Sequence, residues 1–388
     1  YKTLRSRVNN YFKENNITRH ANTTMVIKTI AMLAIYLVPF GFLFVAGLSS
    51  WVYFLCWIGM GIGMAGCGLS IMHDANHGAF SKYKWLNKIM SFSMEMLGGS
   101  NLNWRIQHNV LHHSFTNVHD MDEDIDSIGL LRFSPNMPRK KVHRFQVYYA
   151  WFFYGFMTLS WMTNKDFMQL SRYNKEGLLQ AQNKTFTKAL IQLIFSKLLY
   201  YVYIIAIPLL VMDVSWWQVL LGFFVMHFIC GSILAFVFQV AHVMPETEFM
   251  TKDGYTEKND DISWAKHQMM TTANFENWNP VLTWYVGGLN YQIEHHVWPD
   301  LPLLKYRQAA PQLALDDLHL LVELGQQLFL AGVGIGIDLI WALVERNEAF
   351  ADRPLRHALR LEDRVDARVG VAAPRGHEAR LALGPQGR

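Results

Sequence analysis

Four apolar runs dominate the chain, and each is long enough to cross a lipid bilayer. A spanning helix needs about 20 apolar residues, because each adds 1.5 Å across roughly 30 Å of hydrocarbon. The runs cover residues 23–48, 51–72, 189–212 and 216–241. Inside them stand Lys28, Lys197 and His227, with no Asp, Glu or Arg. An isolated Lys in a span is expected to snorkel toward the interface. Ser49 and Ser50 separate the first pair of runs, and Asp213, Val214 and Ser215 separate the second. The expected fold is all-α and membrane-integral, with four transmembrane helices in two tight hairpins. Composition agrees: 17% of residues are charged, against about 25% in soluble domains.

The charges orient this arrangement. Neither short turn holds Lys or Arg. Lys2, Arg5, Arg7, Lys13 and Arg19 precede the first run, and Lys82, Lys84, Lys88, Arg105, Arg139, Lys140, Lys141 and Arg144 lie between the hairpins. The positive-inside rule therefore places both termini and the segment 73–188 in the cytosol. Residues 1–22 read as a cytosolic N-terminal segment and 23–305 as the membrane domain. Residues 145–162 (FQVYYAWFFYGFMTLSWM) fall just short of a span and read as an interfacial helix. From Tyr306 onward there are 10 Arg and no Lys, after 17 Lys and 8 Arg before it. Residues 306–388 thus read as an atypical extension, mobile or foreign. A net charge of +4 is too small to point to nucleic acid. Cys56, Cys67 and Cys230 lie in apolar runs, which excludes a disulfide scaffold.

Three histidine clusters carry the chemistry. His73-Asp74-Ala75-Asn76-His77 follows the second run, His108-Asn109-Val110-Leu111-His112-His113 lies in the cytosolic segment, and Gln292-Ile293-Glu294-His295-His296 follows the fourth run. His242 stands at the end of that fourth run. Residues four apart share a helical face, so His73/His77 and His108/His112 can each grip one ion. Neighbours such as His112/His113 and His295/His296 diverge and can serve two ions. A single ion takes about four ligands, so these eight His suit two ions, with Gln292 filling or bordering a remaining position. Asp74, Asn76, Glu294, Asp122, Asp124 and His267 are candidates to orient the ligating rings. The expected cap is a cytosolic, histidine-rich helical layer holding a dinuclear metal site. Other motifs fail. There is no HExxH, P-loop or Rossmann fingerprint. Asp120, Asp122, Asp124 and Asp126 imitate a calcium loop, but Ile125 and Leu131 replace its Gly and Glu.

HDANH, HNVLHH and QIEHH, set around two hairpins, resemble the histidine boxes of the integral-membrane fatty acid desaturases. Asn103-Trp104-Arg105, Phe115-Thr116-Asn117, Asp122-Glu123-Asp124 and Gly287-Gly288-Leu289-Asn290-Tyr291 extend the likeness over about residues 20–305. Gln292 at the head of the third box resembles the front-end branch, which desaturates between an existing double bond and the carboxyl end. The resemblance implies two iron ions, O2 as co-substrate, and a cis double bond placed in an acyl-CoA or acyl-lipid. Many members of that branch carry a fused cytochrome b5 with an HPGG motif, which this sequence lacks. The implied electron donor is a separate protein, cytochrome b5 or ferredoxin with its reductase. The implied location is the endoplasmic reticulum or a bacterial inner membrane. The nearest alternative is a membrane diiron hydroxylase of alkyl or lipid chains. A metal-ion transporter is disfavoured, because transporters place ligands at helix breaks inside the bilayer and these clusters gather at one face.

Overall fold

The computed structural model describes residues 1–125, 129–258, 263–302 and 305–310. Asp126 and residues 311–388, with His319, His357 and His377, lie outside the described residues. Among the described residues the protein is helical, and a lone bridge joins Val118 to Met250. The elements that position the site are α1 (Lys2–Glu14), α2 (Thr23–Phe42), α3 (Ser50–Asn76), α4 (101–115), α5 (Gln146–Tyr154), α6 (Phe186–Val211), α7 (Trp216–His242), α8 (Trp264–Thr271) and α9 (Gln292–Val297). Of these, α2, α3, α6 and α7 are long and apolar enough to cross a membrane.

The ends of these helices differ from the sequence expectation. Helix α2 stops at Phe42 rather than at 48, because Pro39 sits in its last turns and Gly47 takes a left-handed φ of 76°. Helices α3 and α7 have 27 residues each. At 1.5 Å per residue that is about 40 Å, longer than the hydrocarbon. Their final turns carry His73 and His242. Two stretches, Cys67–Met72 in α3 and Arg105–His112 in α4, are π-helical.

Glycines set the helix spacing. A Cβ on Gly63 would lie 2.5 Å from the Tyr36 amide nitrogen, and one on Gly61 would lie 2.7 Å from the Met226 carbonyl oxygen. Gly59 meets Pro39, so α3 runs antiparallel to α2; Gly222 meets Trp57, so α3 runs parallel to α7. Small residues let helix backbones approach in this way. Gly63→Leu should therefore destabilise the fold by about 1–3 kcal/mol through overpacking, read as a lower thermal midpoint in detergent. Gly41→Ala, with nothing near its Cβ position, is the control.

The polar groups in the spans are buried rather than turned to the interface. Lys197 does not snorkel: its ammonium is buried and donates to Asp166 (2.5 Å) and to the carbonyls of Gly98 and Trp161. A desolvated ammonium needs such acceptors. Lys28 is also buried, over the Trp284 ring. His227 bonds to the Tyr200 hydroxyl at 2.6 Å and Thr158 Oγ1 at 3.1 Å.

Helix α5 is too short to cross and exposes Val147, Tyr148, Trp151 and Phe152, with Trp151 and Phe152 also touching α7. A second apolar core joins Leu4, Val8 and Phe12 of α1 to Trp298, Leu301, Tyr306 and Ala309. The start of the expected extension thus packs as helix in the core. The Lys-to-Arg change reports surface composition and is blind to these buried apolar positions.

Candidate metal centre

The eight expected histidines converge from four elements: His73 and His77 at the end of α3, three from α4, His242 closing α7, and two from α9. All are buried or half-buried. Ligand atoms lie within 4.8 Å of one another in each of three imidazole groups. These are His73, His77, His108 and His295; His112, His242 and His296; and His113, His295 and His296. Two nitrogens on one ion, each at about 2.1 Å, lie at most about 4.2 Å apart, so each group is near the grip of one ion. His113 sits where the groups meet. Its Nε2 lies 3.2 Å from Nε2 of His108 and 3.1 Å from Nε2 of His295, and its ring centre is 4.4 Å from that of His296.

The pairing within α4 departs from the α-helical expectation. His73 and His77 stay together, with ring centres 4.7 Å apart. His108 and His112 fall into different imidazole groups, although together with Asp124 they form a fourth set of neighbouring ligand atoms. The π-helical turn is the cause, because it aligns residues five apart. His108 therefore meets His113, while His112 faces His242 and His296 with ring centres 4.7 and 4.9 Å away.

Four rings are oriented through Nδ1. His112 Nδ1–H donates to Asp122 at 3.0 Å, and Asp122 also accepts the amides of Asn117 and Asp124. His296 Nδ1 meets Gln268 Oε1 at 2.7 Å, His295 Nδ1 meets the Tyr306 hydroxyl at 3.0 Å, and His242 Nδ1 faces the Thr271 carbonyl at 3.4 Å. Partners of this kind fix the tautomer and aim Nε2 at a metal. Nε2 of His77, His112 and His296, and both ring nitrogens of His73, are buried without a hydrogen-bond partner. Ordinary core histidines are satisfied. Metal ligation would satisfy these orphaned atoms, so the residues fit the group.

The electrostatics suit the same purpose. Burial, reinforced by neighbouring imidazoles, holds His77, His108, His113, His295 and His296 well below the usual His pKa. They are neutral, as metal ligation requires. His112 differs: burial opposes its charge, but the Asp122 carboxylate outweighs burial and raises it. Burial works against the Asp122 charge too, yet His112 keeps that carboxyl below its usual range. Asp124, 3.6 Å from His112, is pushed up to about 6, chiefly by burial.

The other expected residues divide. Gln292 is buried against His242 at a cavity wall. Asp74 is buried, its carboxylate 3.9 Å from His73 Nδ1. Asn76 bonds back to the Met72 carbonyl at 3.1 Å, and Glu294 accepts from Asn274 at 3.0 Å. His267 packs against the Tyr255 ring, outside the imidazole groups. Sequence reasoning missed Gln268, Tyr306 and the Thr271 carbonyl, which no box contains. Asn117 takes a φ of 59°, and its amide ties the carbonyls of His242, Glu248 and Thr271 together. Trp104 stacks on His108 with ring centres 4.4 Å apart.

A cavity of about 250 Å³ opens off the cluster, lined at its polar end by His73, His108, His242, His295 and Gln292. Its apolar walls include Leu69 and Met72 of α3, Leu234 and Phe238 of α7, and Phe153 and Met157. Its lining is largely apolar, which suits a hydrocarbon guest.

A family model described as fatty acid desaturase matches residues 49–319. The chain is 33% identical over 314 residues to the sn-1 linoleoyl-lipid 6-desaturase of Arthrospira platensis, covering 81% of this chain and 83% of that one. It is 32% identical to the protein of the same description from Synechocystis sp., covering 79% and 84%. It is 29% identical to Delta(5) fatty acid desaturase A of Dictyostelium discoideum, covering 80% and 67%.

Proposed function

The chain belongs to the fatty acid desaturase family, and on that premise we propose that this desaturase inserts a cis double bond into a lipid-linked acyl chain, on the carboxyl side of an existing double bond. The observation that carries the reading is the meeting of eight imidazoles at the head of an apolar cavity. The proposed ligands of two irons are His73, His77, His108, His112, His113, His242, His295 and His296, with Gln292 bordering the site. Irons bound there supply, with O2 and two electrons, the oxidising power that an unactivated pair of methylenes demands. The chain's own groups do the rest. Asp122, Gln268, Tyr306 and the Thr271 carbonyl hold four rings in one tautomer. The apolar walls exclude water and leave the substrate's methylenes as the nearest reactive groups.

Relatives described as linoleoyl-lipid 6-desaturase and Delta(5) desaturase support the front-end position and the lipid-linked substrate. Taking two hydrogens from the chain while O2 goes to two waters consumes two electrons and two protons. The electrons come from a donor protein, for which cytochrome b5 or ferredoxin fits. Both hairpin turns lack Lys and Arg, which supports a cytosolic placement of the histidine cluster and of both termini.

The test is expression in a host without polyunsaturated fatty acids, fed linoleate or α-linolenate, with mass spectrometry of the products. A new double bond nearer the carboxyl end is expected. Desaturation on the methyl side alone would refute the regiochemistry, and an alcohol would identify a hydroxylase.

A further inference from the structure

We propose that Lys165 sets the register of the acyl chain by holding the oxygen-rich end of the substrate, meaning its ester or thioester carbonyl and the phosphate beyond it. The inference rests on the acyl-desaturase reading above. Lys165 ends the π-helical segment Trp161–Lys165 and lines the same cavity as His73, His108, His242 and His295. It is the one Lys or Arg among the cavity-lining residues. Its ammonium lies 5.7 Å from the centre of the Trp161 ring and makes no hydrogen bond or ion pair with a described residue.

The two carboxylates on the same cavity wall are engaged elsewhere. Glu123 pairs with Arg172 and accepts from Gln169 at 2.8 Å. Asp124 accepts from Gln107 and stands 3.6 Å from His112. Asp124 and Asp166 feel the Lys165 charge at longer range, without contact.

An ammonium is a compact, strongly hydrated point charge. Lys165 is half-buried, so water serves the ammonium in the free enzyme and a substrate oxygen can take that water's place. An acyl substrate offers oxygens at one end and methylenes along the rest, so that end is what a cation can recognise. A front-end reaction needs the carboxyl-derived end to stop a few methylenes from the histidines. Lys165 shares one cavity with those histidines and is placed to enforce the stop.

The test uses steady-state kinetics of the full-length enzyme with Lys165→Gln and Lys165→Arg. Linoleoyl phosphoglyceride and linoleoyl-CoA form separate arms, and double-bond position is read by mass spectrometry. In the arm that the wild type uses, Lys165→Gln should raise KM about tenfold, the effect of one charge-assisted hydrogen bond. It should leave kcat nearly unchanged and give a mixture of positional isomers, while Lys165→Arg restores one isomer. The responding arm tells whether the recognised oxygens belong to a lipid or to CoA. An analogue lacking the carbonyl and phosphate, given to the wild type, should scramble position in the same way, whether or not the Gln variant folds. A single isomer at unchanged KM in Lys165→Gln, or from that analogue with the wild type, would overturn the proposal. So would a loss confined to kcat that Arg fails to restore. A wild type making no alkene in either arm would instead overturn the parent reading.

Discussion

His295→Ala should lower desaturation by more than about a hundredfold and release metal from the protein. Outer-sphere changes alone cost about 10–100-fold in metal affinity or activity, and a proposed ligand should cost more. His295, like His296, belongs to two of the imidazole groups. Its Nε2 lies 3.1 Å from that of His113, while its Nδ1 meets the Tyr306 hydroxyl. Deleting the ring therefore disturbs both proposed ion positions. His143→Ala is the control. That ring bonds to the Gly129 carbonyl at 3.1 Å, apart from the cluster, and its loss should leave metal content and activity near wild type. Metal content and product yield, measured on the same preparations, check both outcomes.

Asp122→Asn should weaken metal binding by about 10–100-fold without unfolding the protein. Asp122 is fully buried and its carboxylate accepts three hydrogen bonds, from His112 Nδ1–H and from the amides of Asn117 and Asp124. The Asn side chain keeps one acceptor oxygen, so the turn can still form. It loses the charge that offsets burial at His112 and adds an NH2 group facing backbone donors. His112 then loses its fixed tautomer, and Nε2 no longer points reliably at the ion. Asp124→Asn should have the smaller effect, because Asp124 stands 3.6 Å from the ring. Competitive metal titration, with thermal unfolding as the folding control, separates these outcomes. Equal affinity in wild type and Asp122→Asn would show that the carboxylate does not orient His112.

Much of this architecture was legible in the sequence, for local reasons. Apolar runs of bilayer length announce helices, and short charge-free turns announce hairpins, so α2, α3, α6 and α7 were visible. His73, His77 and His242 stand out because they sit at span ends, and the second and third boxes because their histidines cluster within a few residues. What stayed hidden depended on long-range packing. Gln268 and Tyr306 reach the cluster only because α8 and residues 305–310 fold back over α9. The pairing of His108 with His113 required the π-helical turn, which no periodicity reveals. Lys197 was expected at an interface because its partner Asp166 is distant in sequence and lies outside every span. His227 stands mid-span, and its bonds to Tyr200 and Thr158, on other elements, give it a structural role.

The most direct measurement is metal analysis of the full-length protein, purified without chelator, beside its His295→Ala variant. Two ions per chain are expected in the wild type, since eight imidazoles exceed what one ion takes, with a large loss in the variant. One ion per chain in active wild type, or two ions retained in His295→Ala, would contradict a dinuclear centre built on these histidines.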